Sequence, residues 1–184
     1  MPGLFKVTLL LLPFILSCGR ASVEILVEAE SFQEKGGWVV DPQFVEQMGS
    51  PYLLAHGMGF PVKNAMTRVK LPGGGEYHVW VRTKNWADGN WEAPGKFRVV
   101  IDGMELGTDL GTGSGKWAWQ YAGTAVAAGT DIIVELKDLT GFEGRCDAVY
   151  LSRGKNAPPD APEMLSDWRR RVTGESLLPE KTAS

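Results

Sequence analysis

Short segments in which apolar and polar residues alternate, each closed by glycine or proline, run through this chain and restrict it to β-structure. Residues 67–71 alternate and stop at Pro72-Gly73-Gly74-Gly75. In 76–83, Tyr77, Val79 and Val81 share one face and His78, Trp80 and Arg82 the other. A period of two is the signature of a strand with one buried face. The tight glycine turn makes 67–71 and 76–83 read as two strands of one hairpin. Phe97, Val99 and Ile101 alternate in 96–101 and meet Asp102-Gly103, a hairpin turn. Further alternating runs cover 117–121 and 131–137, the latter with Ile132, Val134 and Leu136 inward. Residues 23–30 read as a strand ending in two carboxylates, Glu28 and Glu30. Between about 31 and 66 the chain reads as loop. The pattern predicts two antiparallel sheets packed as a sandwich.

The segment 139–151 concentrates the chemistry. It places Glu143, Arg145, Cys146 and Asp147 in a glycine-hinged loop that runs into the last strand. Strict alternation puts Asp147, Val149 and Leu151 on one face, and Cys146, Ala148 and Tyr150 on the other. A bare carboxylate at the rim of a core is costly, so Asp147 requires compensation by Arg145 or by a bound cation. Cys146 reads as a small buried hydrophobe. The competing reading, a nucleophile, lacks a histidine nearby in sequence.

The length of 184 residues and the 43% hydrophobic content fit one domain with tails. A net charge of −3 offers no electrostatic footprint for nucleic acid. The one basic run, Arg169-Arg170-Arg171, reads as a solvated face of a short helix over 162–172, with Trp168 packing back onto the domain. Residues 1–18 have the form of an export signal: Lys6, an apolar stretch, then Ile15-Leu16-Ser17-Cys18. Two readings stand: a lipobox with Cys18 as lipid-carrying residue and membrane anchor, or plain signal cleavage. Both predict an exported, periplasmic or cell-surface protein. The domain is expected over 23–153, followed by a proline-rich linker and tail over 154–184.

Three motifs carry a resemblance. Glu28-Ala29-Glu30, 75–82 and Asp147-Ala148-Val149-Tyr150-Leu151 occur in an order that resembles carbohydrate-binding modules of families six and thirty-five. Gly37-Trp38, the run 49–53 and the run 141–147 also resemble an accessory domain of exported bacterial proteins known as FAD-dependent oxidoreductases or xanthan-lyase-like proteins. The resemblance implies an all-β, galactose-binding-like jelly-roll sandwich with a short C-terminal helix or tail. It further implies a structural calcium ion held by Glu28, Glu30 and Asp147. No flavin or nicotinamide is expected, because the glycine-rich run 107–116 lies between β-like segments and has no helix N-terminus to receive a phosphate.

The expected function is non-catalytic binding of a polysaccharide or oligosaccharide. Aromatic rings stack on the apolar faces of sugars, while amides, carboxylates and guanidiniums hold hydroxyls. Trp38, Asn85, Trp86, Asp88 and Trp91, with Glu143 and Arg145, are the expected binding residues. His78, Trp80 and Arg82 form a second candidate row, which becomes packing if a helix covers it. The rival readings are a lyase-like polysaccharide enzyme assembled from residues such as His56, Tyr52 and Glu143, and a docking domain for a larger oxidoreductase.

Overall fold

The structure is a computed structural model of the chain and describes residues 23–87, 89 and 92–174. The signal segment with Cys18, the loop residues Asp88 and Trp91, and the tail beyond 174 lie outside the described residues.

Two antiparallel sheets face each other. The first carries β1 (Glu24–Glu28), β2 (Trp38–Asp41), β3 (Tyr52–His56), β5 (Gly75–Thr83), β8 (Ala118–Ala127) and β10 (Phe142–Ser152), in the order β2-β3-β10-β5-β8 with β1 also on β10. The second carries β4 (Ala65–Lys70), β6 (Phe97–Ile101), β7 (Met104–Glu105) and β9 (Asp131–Asp138), in the order β4-β9-β6-β7. From β3 to β10 the chain passes repeatedly between the sheets, the winding of a jelly roll. The alternating segments are strands as expected, and Asp102-Gly103 turns β6 into β7 through Ile101 opposite Met104.

Inward-facing side chains explain why the sheets close on each other. Leu53, Val79, Val81, Val149 and Leu151 meet Phe97, Val99, Ile132, Val134 and Leu136 in one core. Each large apolar side chain buried this way contributes on the order of 1.5–3 kcal/mol. Trp38 belongs to this core, 3% exposed and edge-on to Phe97 with ring centroids 5.5 Å apart.

Three expectations are corrected. Segments 67–71 and 76–83 do not pair: β4 pairs with β9 in one sheet and β5 with β10 and β8 in the other. The glycine turn between them is therefore a crossing between sheets, and both strands find partners distant in sequence. The stretch between 31 and 66 holds β2, β3 and a single helical turn, α1 (Val45–Met48). Strict alternation fails in β10, where the register slips between Cys146 and Ala148. Such a bulge leaves two residues facing one and re-aims the side chain between them. Cys146 consequently joins Val149 and Leu151 in the core, and Ala148 and Tyr150 form a separate cluster outside it.

That outer cluster is closed by helix α2 (Pro162–Thr173). Proline at the first turn suits a helix start, and Gly174 in the left-handed conformation ends it. Leu165, Trp168 and Arg169 form its buried face. Trp168 packs edge-on against Trp119 and Tyr150 at 5.8 and 5.2 Å. The basic run 169–171 reads along the sequence as a solvated face, and for Arg169 that expectation is corrected. This residue is instead 9% exposed, because its position one residue beyond Trp168 turns it into the sheet.

Candidate functional site

The loops at the N-terminal end of β10 bring an arginine and several aromatic rings into one strip. Asp138, buried at the end of β9, organises the first loop. Its carboxylate accepts the N–H groups of Val62 at 2.9 Å, Thr140 at 3.2 Å and Gly141 at 3.0 Å. Gly141 has φ +69°, and a Cβ there would stand 2.2 Å from the Phe60 carbonyl oxygen. Only glycine permits that approach, which locks the 57–60 and 139–142 turns together.

Arg145 follows directly on β10. Its Nη1 donates to the Glu143 carbonyl at 3.2 Å, and its Nη2 lies 3.1 Å from the Glu143 carboxylate. The guanidinium sits 5.7 Å from the Trp86 ring centroid, within cation–π range. Trp86 is 41% exposed, and its indole N–H donates to the Phe142 carbonyl at 2.9 Å. His56 Nδ1 lies 3.4 Å from the other Glu143 oxygen.

The strip continues on the other side of Arg145. The Tyr52 ring stands 5.0 Å from Trp117 and 5.8 Å from Phe44, and Lys84 caps Phe44 at 4.5 Å. Burial and the hydrogen bond from its hydroxyl to Asp41, at 2.8 Å, push the Tyr52 phenol up to about 12; Arg145 opposes that shift. Beyond Trp117 opens a cavity of about 320 Å³, lined by Gln47, Arg82, Lys84, Lys116, Trp117 and Asp160 among others. Trp117 Nε1 and Arg145 Nε are buried with no hydrogen-bond partner among the described residues.

The expected binding residues thus divide. Trp86, Glu143 and Arg145 come together. Asn85 is 6% exposed, and its side-chain oxygen accepts the Ala87 N–H at 3.1 Å, so it shapes the loop from within. Trp38 is turned into the core. Tyr52, Trp117 and Phe44 were not anticipated as parts of this site. Trp117 was detectable, since alternation continues the Trp119 and Tyr121 face back past the end of β8. Phe44 and Tyr52 lie in the stretch read as loop. In the second candidate row, Trp80 packs with the outer cluster beneath α2 and at 4.9 Å from Tyr121, and His78 Nδ1 lies 2.8 Å from the Tyr121 hydroxyl. Arg82 is 4% exposed, so this row is packing.

The three acids of the calcium expectation lie at the junction of β1, β10 and α2. Asp147 is fully buried, and its oxygens take Arg82 Nη1 at 3.1 Å, Arg169 Nη2 at 2.5 Å and the Ser50 hydroxyl at 3.1 Å. Arg169 Nε lies 3.3 Å from Glu28. Burial, opposed by Arg169 and reinforced by Asp147, pushes the Glu28 carboxyl up to about 7; burial also raises Glu30. Among the described residues no three acids, histidines or cysteines converge as metal ligands. With a guanidinium already bonded to Asp147, this arrangement does not fit a calcium ion held by Glu28, Glu30 and Asp147 together.

Neither a protein-family profile nor a curated protein matches the sequence. Solved structures do match the fold. The GH26-CBM35 β-(1,4)-mannanase of Podospora anserina is 15% identical, with TM-score 0.58, over 74% of this chain and 29% of that chain. The C-terminal CBM6 of LamC, a marine laminarinase from Zobellia galactanivorans, is 16% identical, with TM-score 0.52, over 71% of this chain and 99% of that one. The CBM35 of Cellvibrio japonicus Abf62 is 16% identical, with TM-score 0.50, over 73% and 99%. The chain has the β-sandwich fold of such modules.

Proposed function

We propose that this domain binds carbohydrate without catalysis, through the strip that runs from Trp86 over Arg145 to Trp117 and Phe44, whose rings rest on the fully buried Tyr52. The observation that carries the reading is the exposed Trp86 ring fixed against a buried, partly unpartnered guanidinium, at the same loop end as a second aromatic group. A sugar ring stacks its C–H face on indole, and its hydroxyls or a carboxylate meet Arg145, Lys84 and Glu143. The fold shared with the modules above supports this reading, because such sandwiches present binding loops on a rigid frame. The export signal over 1–18, with Cys18 as lipid anchor, would place the domain at the cell surface, where polysaccharide is met.

The test is a glycan-array screen of the chain without residues 1–18, repeated with Trp86→Ala and Trp117→Ala. Specific binding lost in both variants supports the strip. Binding unaffected by either moves the site elsewhere. No binding by the folded domain favours the docking reading, and release of shortened product from a bound polysaccharide favours the enzyme.

A further inference from the structure

The cavity beyond Trp117, of about 320 Å³, gathers positive charge in a chain whose net charge is −3. Arg82, Lys84 and Lys116 line it against a single carboxylate, Asp160. That carboxylate is already engaged, since it accepts the backbone N–H of Trp119 at 3.2 Å. The Trp119 indole in turn donates to the Pro159 carbonyl at 3.3 Å. Together the two bonds pin the segment before α2 to β8, which fixes the cavity wall made by Asp160 and Pro162. Arg82 gives Nη1 to Asp147 at 3.1 Å, while its Nε is buried with no hydrogen-bond partner among the described residues. Its side chain is only 5% exposed. Among the described residues no carboxylate pairs with Lys84 or Lys116. A buried donor without an acceptor is costly, and cations sharing one cavity repel until an anion enters.

Given the carbohydrate reading above, on which this rests, we infer that the cavity is the subsite for an anionic substituent, a carboxylate or a sulfate ester, so that the domain selects acidic over neutral polysaccharide. Trp117 joins the subsite to the aromatic strip: it lines the cavity, and its ring stands 5.9 Å from Phe44 and 5.0 Å from Tyr52. A sugar stacked at this end of the strip carries its substituent toward Arg82, Lys84 and Lys116. Hydrogen bonds from guanidinium or ammonium to an anionic oxygen are about twice as strong as neutral ones. A neutral hydroxyl in the same place leaves the cations uncompensated, and that difference is the source of selectivity. The walls from α1 and from the segment before α2 lie outside the two sheets, so the subsite belongs to what this chain adds to the sandwich.

The experiment titrates the full chain calorimetrically with two acidic polymers and their neutral counterparts: polygalacturonate against its carboxyl-reduced form, and dextran sulfate against dextran. At least one acidic polymer is expected to bind on the order of tenfold more tightly than its counterpart, and the pair that shows this identifies the substituent. Lys84→Gln and Lys116→Gln should each lower that ratio and together bring it close to one. Trp86→Ala should weaken acidic and neutral binding alike and keep the ratio, and Lys70→Gln, at the end of β4, should change neither. Equal binding of acidic and neutral polymers, or a preference that survives the double lysine variant, overturns the inference; binding that still depends on Trp86 then leaves the carbohydrate reading in place. A preference lost as fully in Lys70→Gln marks unspecific charge attraction and overturns it too. A folded chain that binds none of the four polymers removes both.

Discussion

The indole N–H of Trp86 donates to the carbonyl of Phe142 at 2.9 Å, tying the loop after β5 to the first residue of β10. One hydrogen bond therefore sets the plane of an exposed ring relative to Arg145, on the strand next to β5. A ring held in place before ligand arrives loses less entropy on binding than a free one. Trp86→Ala is expected to weaken polysaccharide binding by about 1–2 kcal/mol, roughly tenfold. Trp86→Phe keeps a stacking face without the hydrogen bond and should fall between. Titration calorimetry with the best glycan from the screen checks both, and equal affinity in all three proteins would remove Trp86 from the site.

Glu28 predicts the pH dependence of stability. Its folded-state pKa, raised by burial to about 7, lies above the ordinary 4.5. Between these values the folded protein holds a proton that the unfolded chain has released, so stability falls as pH rises through the window. The loss from pH 5 to pH 8 is on the order of 1–3 kcal/mol. Glu28→Gln should flatten that slope, read by urea denaturation at the two pH values. A parent protein more stable at pH 8 than at pH 5 contradicts the prediction.

Two left-handed glycines separate strain from collision. At Gly103, φ is +79° and a Cβ would meet nothing within 4 Å, whereas at Gly141 it would meet backbone of Phe60 at 2.2 Å. Gly103→Ala should cost about 1 kcal/mol, the penalty of the conformation alone. Gly141→Ala should cost more than about 3 kcal/mol and part the 57–60 turn from the 139–142 turn. Chemical denaturation measures the first difference. Loss of Trp86 fluorescence anisotropy reports the second.

Cys146 is wholly buried, and burial followed by the charge of Asp147 pushes its thiol well above the usual range. It should resist a thiol reagent in the native protein and react fully once denaturant is added. Rapid native labelling would revive the nucleophile reading.

Much of the frame was legible along the chain. Segments such as 76–83 and 131–137 alternate because one face of each is buried, and burial is written residue by residue. β2 and β3 escaped because they combine little alternation with proline and glycine neighbours. β3 in particular is buried on both faces over Tyr52 and Leu53. Pairing escaped for a different reason: β4 and β5 adjoin in sequence, yet the hydrogen bonds of each are satisfied by strands far along the chain.

The site divides along the same line. Residue types and loop position already marked Trp86, Glu143 and Arg145, because an exposed tryptophan among polar groups is a local property. Asp147 also announced a need for a cation, since a buried carboxylate demands one wherever it sits. Which cation answered was decided only in three dimensions. The bulge after Cys146 turned Asp147 toward the outer face, and the packing of Trp168 carried Arg169 to it across 22 residues of chain. Local pattern records which side chains must be buried; the choice among partners that could bury them belongs to the assembled fold, where distance through space replaces distance along the sequence.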